Sequence, residues 1–162
     1  MLTKPVSSGI PQQDLTLPRE WMRQVLLAAA LYNIVWGAFA ILSPLTLFRW
    51  CGFNPLPLYP ELWQCIGMIV GVYGVGYGIA AANPLRHWPI VLVGLLGKVF
   101  GPIGFVGAVT SGRFPLAMGW TIITNDLIWW IPFGLILWSA VRSNQTKLKP
   151  MSMLDRHQDR TE

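Results

Sequence analysis

Four long apolar stretches, separated by shorter polar or proline-rich segments, dominate the pattern along this chain. They cover residues 21–42, 61–82, 88–110 and 118–141. A helix needs about 20 apolar residues to cross the hydrocarbon of a membrane, and each stretch reaches that length. The helices of a soluble bundle would carry a polar face, which these stretches almost lack. The pattern therefore predicts an all-α protein, a polytopic membrane bundle of four helices.

Composition agrees with this class. Of the 162 residues, 53% are hydrophobic and only 12% are charged, whereas about a quarter of a soluble domain is charged. The first twenty residues hold no apolar core of a cleavable signal peptide, so we expect the first stretch to be retained. The predicted organisation is a cytoplasmic N-terminal segment (1–20), the bundle (21–141) and a basic cytoplasmic tail (142–162).

Lysine and arginine are distributed unequally between the two sides of the predicted membrane. Two arginines, Arg49 and Arg113, fall on one side, and Lys98 lies inside the third stretch. The nine on the other side are Lys4, Arg19, Arg23, Arg86, Arg142, Lys147, Lys149, Arg156 and Arg160. This bias predicts that both termini are cytoplasmic. The basic tail has no predicted fold that would present it to nucleic acid, so we expect membrane lipids and no nucleic acid as partners.

Every stretch carries a polar group near the middle of the membrane. These residues are Asn33, Tyr73, Lys98, Asn125 and Asp126, and the helical rise places them at depths of roughly 10–18 Å. A lone charge there costs roughly 3 kcal/mol or more, so partners are expected. We expect Lys98 and Asp126 to face each other, with Trp129 forming a wall of the cavity and Trp130 beside it. Either a structural ion pair or a binding or proton-responsive site fits this pattern.

Two prolines interrupt the helices close to these polar groups. Pro102 removes the hydrogen bond to the carbonyl of Lys98, and Pro132 removes the one to Ile128. Irregular backbone at membrane depth is tolerated only where protein or water satisfies the released groups. We therefore expect the midplane polar groups and the two helix breaks to form one region.

Glycines recur along one face of the second and of the third stretch. The positions are Gly67, Gly71, Gly74 and Gly78 in the second, and Gly94, Gly97, Gly101, Gly104 and Gly107 in the third. Small residues let membrane helices approach closely, so these two helices are expected to pack tightly together. The alternative is a groove that accepts a flat lipophilic ring.

The segment between the first two stretches is rich in proline and aromatic residues. Residues 43–60 are interpreted as a short amphipathic cover or as an interfacial loop anchored by Phe48, Trp50 and Tyr59. The two cysteines, Cys51 and Cys65, do not form a CxxC pair and are interpreted as ordinary thiols.

The second and third stretches also resemble a known family. The features are Glu61 at the start of the second helix, the glycine ladder after it, Lys98 in the third helix, and two motifs, PELWQCIGMIVGVYGVGYGIAAANPLRHWPIVLVGLLGKVFGPIGF and TNDLIWW. Over residues 25–140 they resemble the DoxX-like small bacterial membrane proteins, and a narrower group of these sometimes labelled alkyl hydroperoxide reductase. The resemblance implies a four-helix bundle in a bacterial inner, or other energy-transducing, membrane, with a link to redox complexes or quinone chemistry.

These observations favour a membrane binding or accessory protein. Its expected ligand is a lipophilic molecule such as a quinone, lipid or pigment, and its expected setting is a larger redox or photosynthetic complex or a homo-oligomer. The expected ligand-binding residues are Asn33, Tyr73, Lys98, Asn125, Asp126 and Trp129. The alternatives are a membrane oxidoreductase and a small proton-coupled transporter subunit. The sequence contains no Ser–His–Asp set, metal-ligand cluster or phosphate loop, and it leaves the cofactor open.

The charge bias yields a test of orientation. Reporter domains fused after Glu162 and within residues 43–60 are expected to report opposite compartments, with the C-terminal fusion in the cytoplasm, because positive loops stay inside. Paired alkaline phosphatase and fluorescent protein fusions measure this in cells. A C-terminal fusion that is active only outside the cytoplasm would contradict the orientation.

Overall fold

The fold is known from a computed structural model, which describes the backbone of residues 17–158 and the side chains of residues 20–143. Residues 1–16 and the side chains of the basic tail from residue 144 lie outside the described residues. The predicted N-terminal segment and the tail lysines therefore stay predictions.

The described chain is helical, and its helices follow the four apolar stretches. In chain order they are α1 (Leu17–Leu42), α2 (Thr46–Trp50), α3 (Pro60–Ala82), α4 (Trp88–Thr110), a 3-10 turn (Leu116–Met118), α5 (Gly119–Ile122), a π-helical turn (Ile123–Leu127) and α6 (Ile128–Gln158). Pro60 and Pro89 stand in the first turns of α3 and α4, where the missing N–H has no helical acceptor. The fourth span, Leu116–Ser143, consists of the 3-10 turn, α5, the π-helical turn and the first part of α6.

Four helices are long and apolar enough to cross a membrane: α1 from Glu20, α3, α4 and the fourth span. The prediction of an all-α, four-helix membrane bundle is confirmed, and the chain is a multi-pass membrane protein. Because the number of spans is even, α1 begins and the fourth span ends at the same end of the bundle.

Helices α1 and α3 are the most closely packed pair. A Cβ atom on Gly37 would lie 2.6 Å from the carbonyl oxygen of Gly67 and 2.9 Å from the nitrogen of Gly71. One on Gly74 would lie 2.9 Å from the carbonyl oxygen of Ala30. The two backbones thus touch, which only small residues permit. The glycine face of the second stretch therefore packs against the first helix.

The expectation that the two glycine faces pack together is wrong. Helix α4 packs mainly on α6 and meets α3 near their short connection, where Gly94 lies against the ring of Tyr77. The space beside Gly97, Gly104 and Gly107 is open. Because α1 already covers the glycines of α3, α3 and α4 diverge away from the connection. The alternative expectation, a groove, describes this glycine face of α4.

Two apolar clusters fill the two ends of the bundle. At the end where α1 begins, Met22, Leu26, Ala81, Val91 and Ile136 are buried together, so all four spans contribute. At the opposite end, Leu47, Phe48 and Cys51 of the α2 segment pack with Met118 and close the bundle. We call this second end the cap end.

The segment 43–60 therefore covers the cap end of the bundle. Of its three expected anchors, Phe48 is buried, whereas Trp50 and Tyr59 are exposed. Cys51 is buried in the cap and Cys65 is exposed on α3, and both are free thiols.

The contact between α1 and α3 predicts which glycines stabilise the fold. Gly37→Ala is expected to lower the free energy of unfolding by about 1–3 kcal/mol, because its methyl group overlaps backbone atoms that cannot move aside independently. Thermal unfolding in detergent measures this.

The matched control is Gly107→Ala, whose methyl group enters open space on α4. Equal stability of the two variants would contradict the close contact between the α1 and α3 backbones.

Candidate functional site

A belt of buried polar side chains separates the two apolar clusters. Asn33, Lys98 and Asp126 are only 3%, 5% and 5% exposed. They come from α1, α4 and the π-helical turn of the fourth span, so three spans meet here. Burial of two ionisable groups at this depth requires polar partners within the protein.

Lys98 finds its partner in the backbone of the fourth span. Its Nζ atom donates a hydrogen bond of 2.5 Å to the carbonyl oxygen of Asn125. Lys98 and Asp126 line the same cavity, but no salt bridge within 4 Å joins the two side chains. Instead, Oδ1 of Asp126 accepts a hydrogen bond of 3.0 Å from Nδ2 of its neighbour Asn125. The two charged groups therefore share Asn125 as an intermediate.

The π-helical turn explains how a backbone carbonyl can serve Lys98. It spans Ile123–Leu127 and includes both Asn125 and Asp126. A π turn widens the helix and disturbs its regular hydrogen bonding, and such turns are frequent at functional sites. The turn lies just before Pro132, which cannot donate to the carbonyl of Ile128. The fourth span is thus irregular where it meets Lys98.

The break at Pro102 is satisfied by a side chain of the fourth span. Nε1 of Trp130 donates a hydrogen bond of 3.0 Å to the carbonyl oxygen of Lys98, the group that Pro102 releases. Lys98 therefore donates through its side chain to one span and accepts through its backbone from the same span. This reciprocal pair fixes α4 against the fourth span.

The remaining predicted site residues surround this pair. Nδ2 of Asn33 donates a hydrogen bond of 2.7 Å to the carbonyl of Ala29 in its own helix. Tyr73 is half-buried, with its ring 6.3 Å from that of Tyr77. Trp129 is buried, and its ring centroid lies 5.9 Å from the Lys98 ammonium, close enough for a cation–π contact.

Two cavities meet at the π-helical turn, and both are lined by Asn125 and Asp126. The groove cavity, of about 180 Å³, lies between α3 and α4 and is also lined by Asn33, Tyr73, Gly97 and Lys98. The cap-side cavity, of about 320 Å³, extends toward the cap end. Its further polar and aromatic lining residues are Trp36, Trp63, Phe105, Phe114 and Thr121.

Five of the six predicted site residues line the groove cavity. They are Asn33, Tyr73, Lys98, Asn125 and Asp126. Trp129 is not among the residues that line either cavity, and it packs instead against Phe133 and Tyr32, at ring distances of 5.9 Å each. Trp129 therefore lies beside Lys98 and behind the lining of these two cavities, and its role in ligand binding stays a prediction.

Sequence reasoning missed several lining residues. Tyr77 follows Tyr73 by one helical turn and Trp36 follows Asn33 by nearly one turn, so the helical period was an available signal for both. Trp63 lies near the start of its span and is typical of an interface anchor, so nothing in the sequence indicated its place in the cap-side cavity.

Some buried polar atoms around the belt have no hydrogen-bond partner among the described residues. They are Oδ1 of Asn125, Nε1 of Trp63 and Nε1 of Trp129. Buried polar atoms are normally paired, and exceptions require an explanation. Asn125 and Trp63 line the cap-side cavity, so an acceptor and a donor there remain for a bound molecule.

Comparisons with protein-family models, with curated proteins and with solved structures found no match to the chain. The resemblance to DoxX-like proteins therefore stays a prediction.

The reciprocal pair predicts a coupling between Pro102 and Trp130. Trp130→Phe is expected to destabilise the protein by about 1 kcal/mol, because it leaves the Lys98 carbonyl unpaired in an apolar medium. In a Pro102→Ala background the same change should cost less, since the introduced alanine supplies the N–H that proline lacks.

A double-mutant cycle of thermal stabilities measures this coupling. Strictly additive effects of the two substitutions would show that Trp130 does not act through the Lys98 carbonyl.

Proposed function

We propose that the protein binds a lipophilic molecule with a polar head, such as a quinone, lipid or pigment, and serves as an accessory subunit of a larger membrane redox or photosynthetic complex. The observation that carries this proposal is the meeting of two cavities at Asn125 and Asp126. Ligand sites are typically concave and mostly apolar, with a few polar groups that fix orientation. The cap-side cavity, at about 320 Å³, falls within the usual range for such sites.

The polar groups define the head of the ligand. Oδ1 of Asn125 and the carboxylate of Asp126 can accept hydrogen bonds from a ligand, and Nε1 of Trp63 can donate one to it. In the groove cavity the Lys98 ammonium adds further donor capacity. A head group with both a donor and an acceptor satisfies these atoms at once.

The exposed glycine face of α4 provides the entry route. Gly97, Gly101 and Gly104 are exposed and line the two cavities. Because glycine has no side chain, nothing on this face blocks access from the bilayer. A ligand dissolved in the bilayer therefore enters laterally between α3 and α4. The apolar part of the ligand then remains among aromatic and aliphatic side chains.

A second candidate, a proton-coupled transporter subunit, is favoured by the separation of Lys98 and Asp126. Both are buried and neither is locked in a direct ion pair, so each is available to exchange a proton. Reconstitution of the protein into liposomes tests this candidate. A pH gradient is expected to drive proton flux through the protein, and Asp126→Asn is expected to abolish that flux. The oxidoreductase alternative rests on the family resemblance alone.

Matched substitutions on α4 test the proposed site. Gly104→Leu is expected to displace the ligand, because its side chain fills the cap-side cavity without a clash at Cβ. Gly107→Leu adds the same side chain one turn further along, beside open space and outside the lining residues.

The measurement is mass spectrometry of small molecules and proteins that co-purify in lipid nanodiscs. A lipophilic molecule enriched with the wild type and Gly107→Leu, but lost from Gly104→Leu, supports the site. Identical small-molecule profiles for all three proteins would contradict ligand binding in this cavity.

A further inference from the structure

The cap-side cavity carries a single charge among the described residues that line it. That charge is the carboxylate of Asp126, whereas Lys98 lines only the groove cavity. The hydrogen bond to the Asn125 carbonyl holds the Lys98 ammonium more than 4 Å from the carboxylate oxygens. The two cavities therefore differ in charge: one contains both ionisable groups, and the other contains only the acid.

The uncharged polar groups of the cap-side cavity include both acceptors and donors. Oδ1 of Asn125 is buried without a partner. The hydroxyl of Thr121 already donates its proton over 2.7 Å to the carbonyl of Met118, so its free capacity is that of an acceptor. The donors are the indole N–H groups of Trp36 and Trp63, the latter without a partner. These uncharged groups do not distinguish ligand classes, whereas the charge of Asp126 favours a cation.

The apolar walls have the same preference. Trp36, Trp63, Phe105 and Phe114 contribute four aromatic rings to this one cavity. Aromatic faces are electron-rich and attract cations, more strongly where water is excluded, and groups of such rings are a common way to bind quaternary ammonium ions. Aromatic walls around one buried carboxylate form a neutralising site for a bulky cation.

We propose that the cap-side cavity selects a lipophilic organic cation, a substituted ammonium or similar centre carried on an apolar body. The proposal rests on the proposed function, since it names the ligand class of the same site. The cationic centre lies against Asp126 and the aromatic rings, and the apolar body extends along the glycine face toward the bilayer. An anionic ligand would instead bring a second negative charge beside the Asp126 carboxylate, and like charges in contact repel each other.

Two ions of the same shape and opposite charge test the selectivity. Tetraphenylphosphonium and tetraphenylborate are titrated into the wild type in zwitterionic nanodiscs, with empty nanodiscs subtracted to remove partition into lipid. The wild type and Gly107→Leu are expected to bind the cation about tenfold more tightly than the anion, or more. Gly104→Leu is expected to lose this protein-dependent binding, because its side chain occupies the cavity.

Substitution of the acid tests the source of the preference. Asp126→Asn is expected to weaken binding of the cation about tenfold, and Asp126→Glu, which keeps the charge, to retain it. If Asp126→Asn does not fold, the comparison of the two ions on the wild type still decides.

Equal affinity for both ions, lost in Gly104→Leu, would overturn the cation selectivity and leave the lipophilic site intact. Tighter binding of the anion, or no protein-dependent binding of either ion, would also overturn it. After any of these outcomes, the mass spectrometry of molecules that co-purify in nanodiscs tests the proposed function independently.

Discussion

Lys98 sets the main constraint on this bundle. A buried ammonium in the apolar part of a membrane must be compensated by the protein, and here the compensating group is a backbone carbonyl at the irregular turn of the fourth span. The same residue has a carbonyl without a helical donor because Pro102 follows four positions later, and Trp130 of the fourth span donates to it. One residue therefore joins α4 and the fourth span twice. The position of Asp126, and of both cavities, depends on this connection.

The two pairs of helices are held together by different means. Helices α1 and α3 approach through glycine, with Gly37 against the backbone of Gly67 and Gly71. Helix α4 and the fourth span are joined by hydrogen bonds from Lys98 and Trp130. Each pair satisfies its own requirements, so little contact remains between α3 and α4 beyond their short connection. The groove is a consequence of this pairing, and it places the buried polar groups within reach of the bilayer.

The arrangement around Asp126 keeps contact between the helices apart from contact with a ligand, because Asp126 forms no direct ion pair with Lys98. Asn125 bridges the acid and the lysine, since its carbonyl accepts from Lys98 and its amide donates to Asp126. The acid thus keeps interaction capacity on the side of the aromatic walls. A direct ion pair would satisfy both charges internally and leave little polarity for a ligand. The separation supports the view that this belt binds a molecule in addition to holding the helices together.

The four spanning helices of this fold follow from the sequence alone. Four apolar stretches predict four spanning helices because hydrocarbon demands internally hydrogen-bonded backbone of a fixed length. The polar residues near mid-length, and the proline that releases the Lys98 carbonyl, were equally visible, since depth follows directly from position along a helix. Five residues lining one cavity could therefore be named from the sequence.

Which helices touch was settled by tertiary packing. Glycines on α3 and α4 permit close packing but do not determine which helix packs against them. The partner of α3 is α1, which approaches it through Gly37, a glycine that belongs to no repeat. In the same way, charge and depth made Lys98 and Asp126 natural partners, but the π-helical turn offered a carbonyl in between. Helical period assigns residues to a face, whereas the rotation of each helix against its neighbours depends on all the contacts together. For that reason Trp129 packs outside the cavities and Trp63 lines one of them.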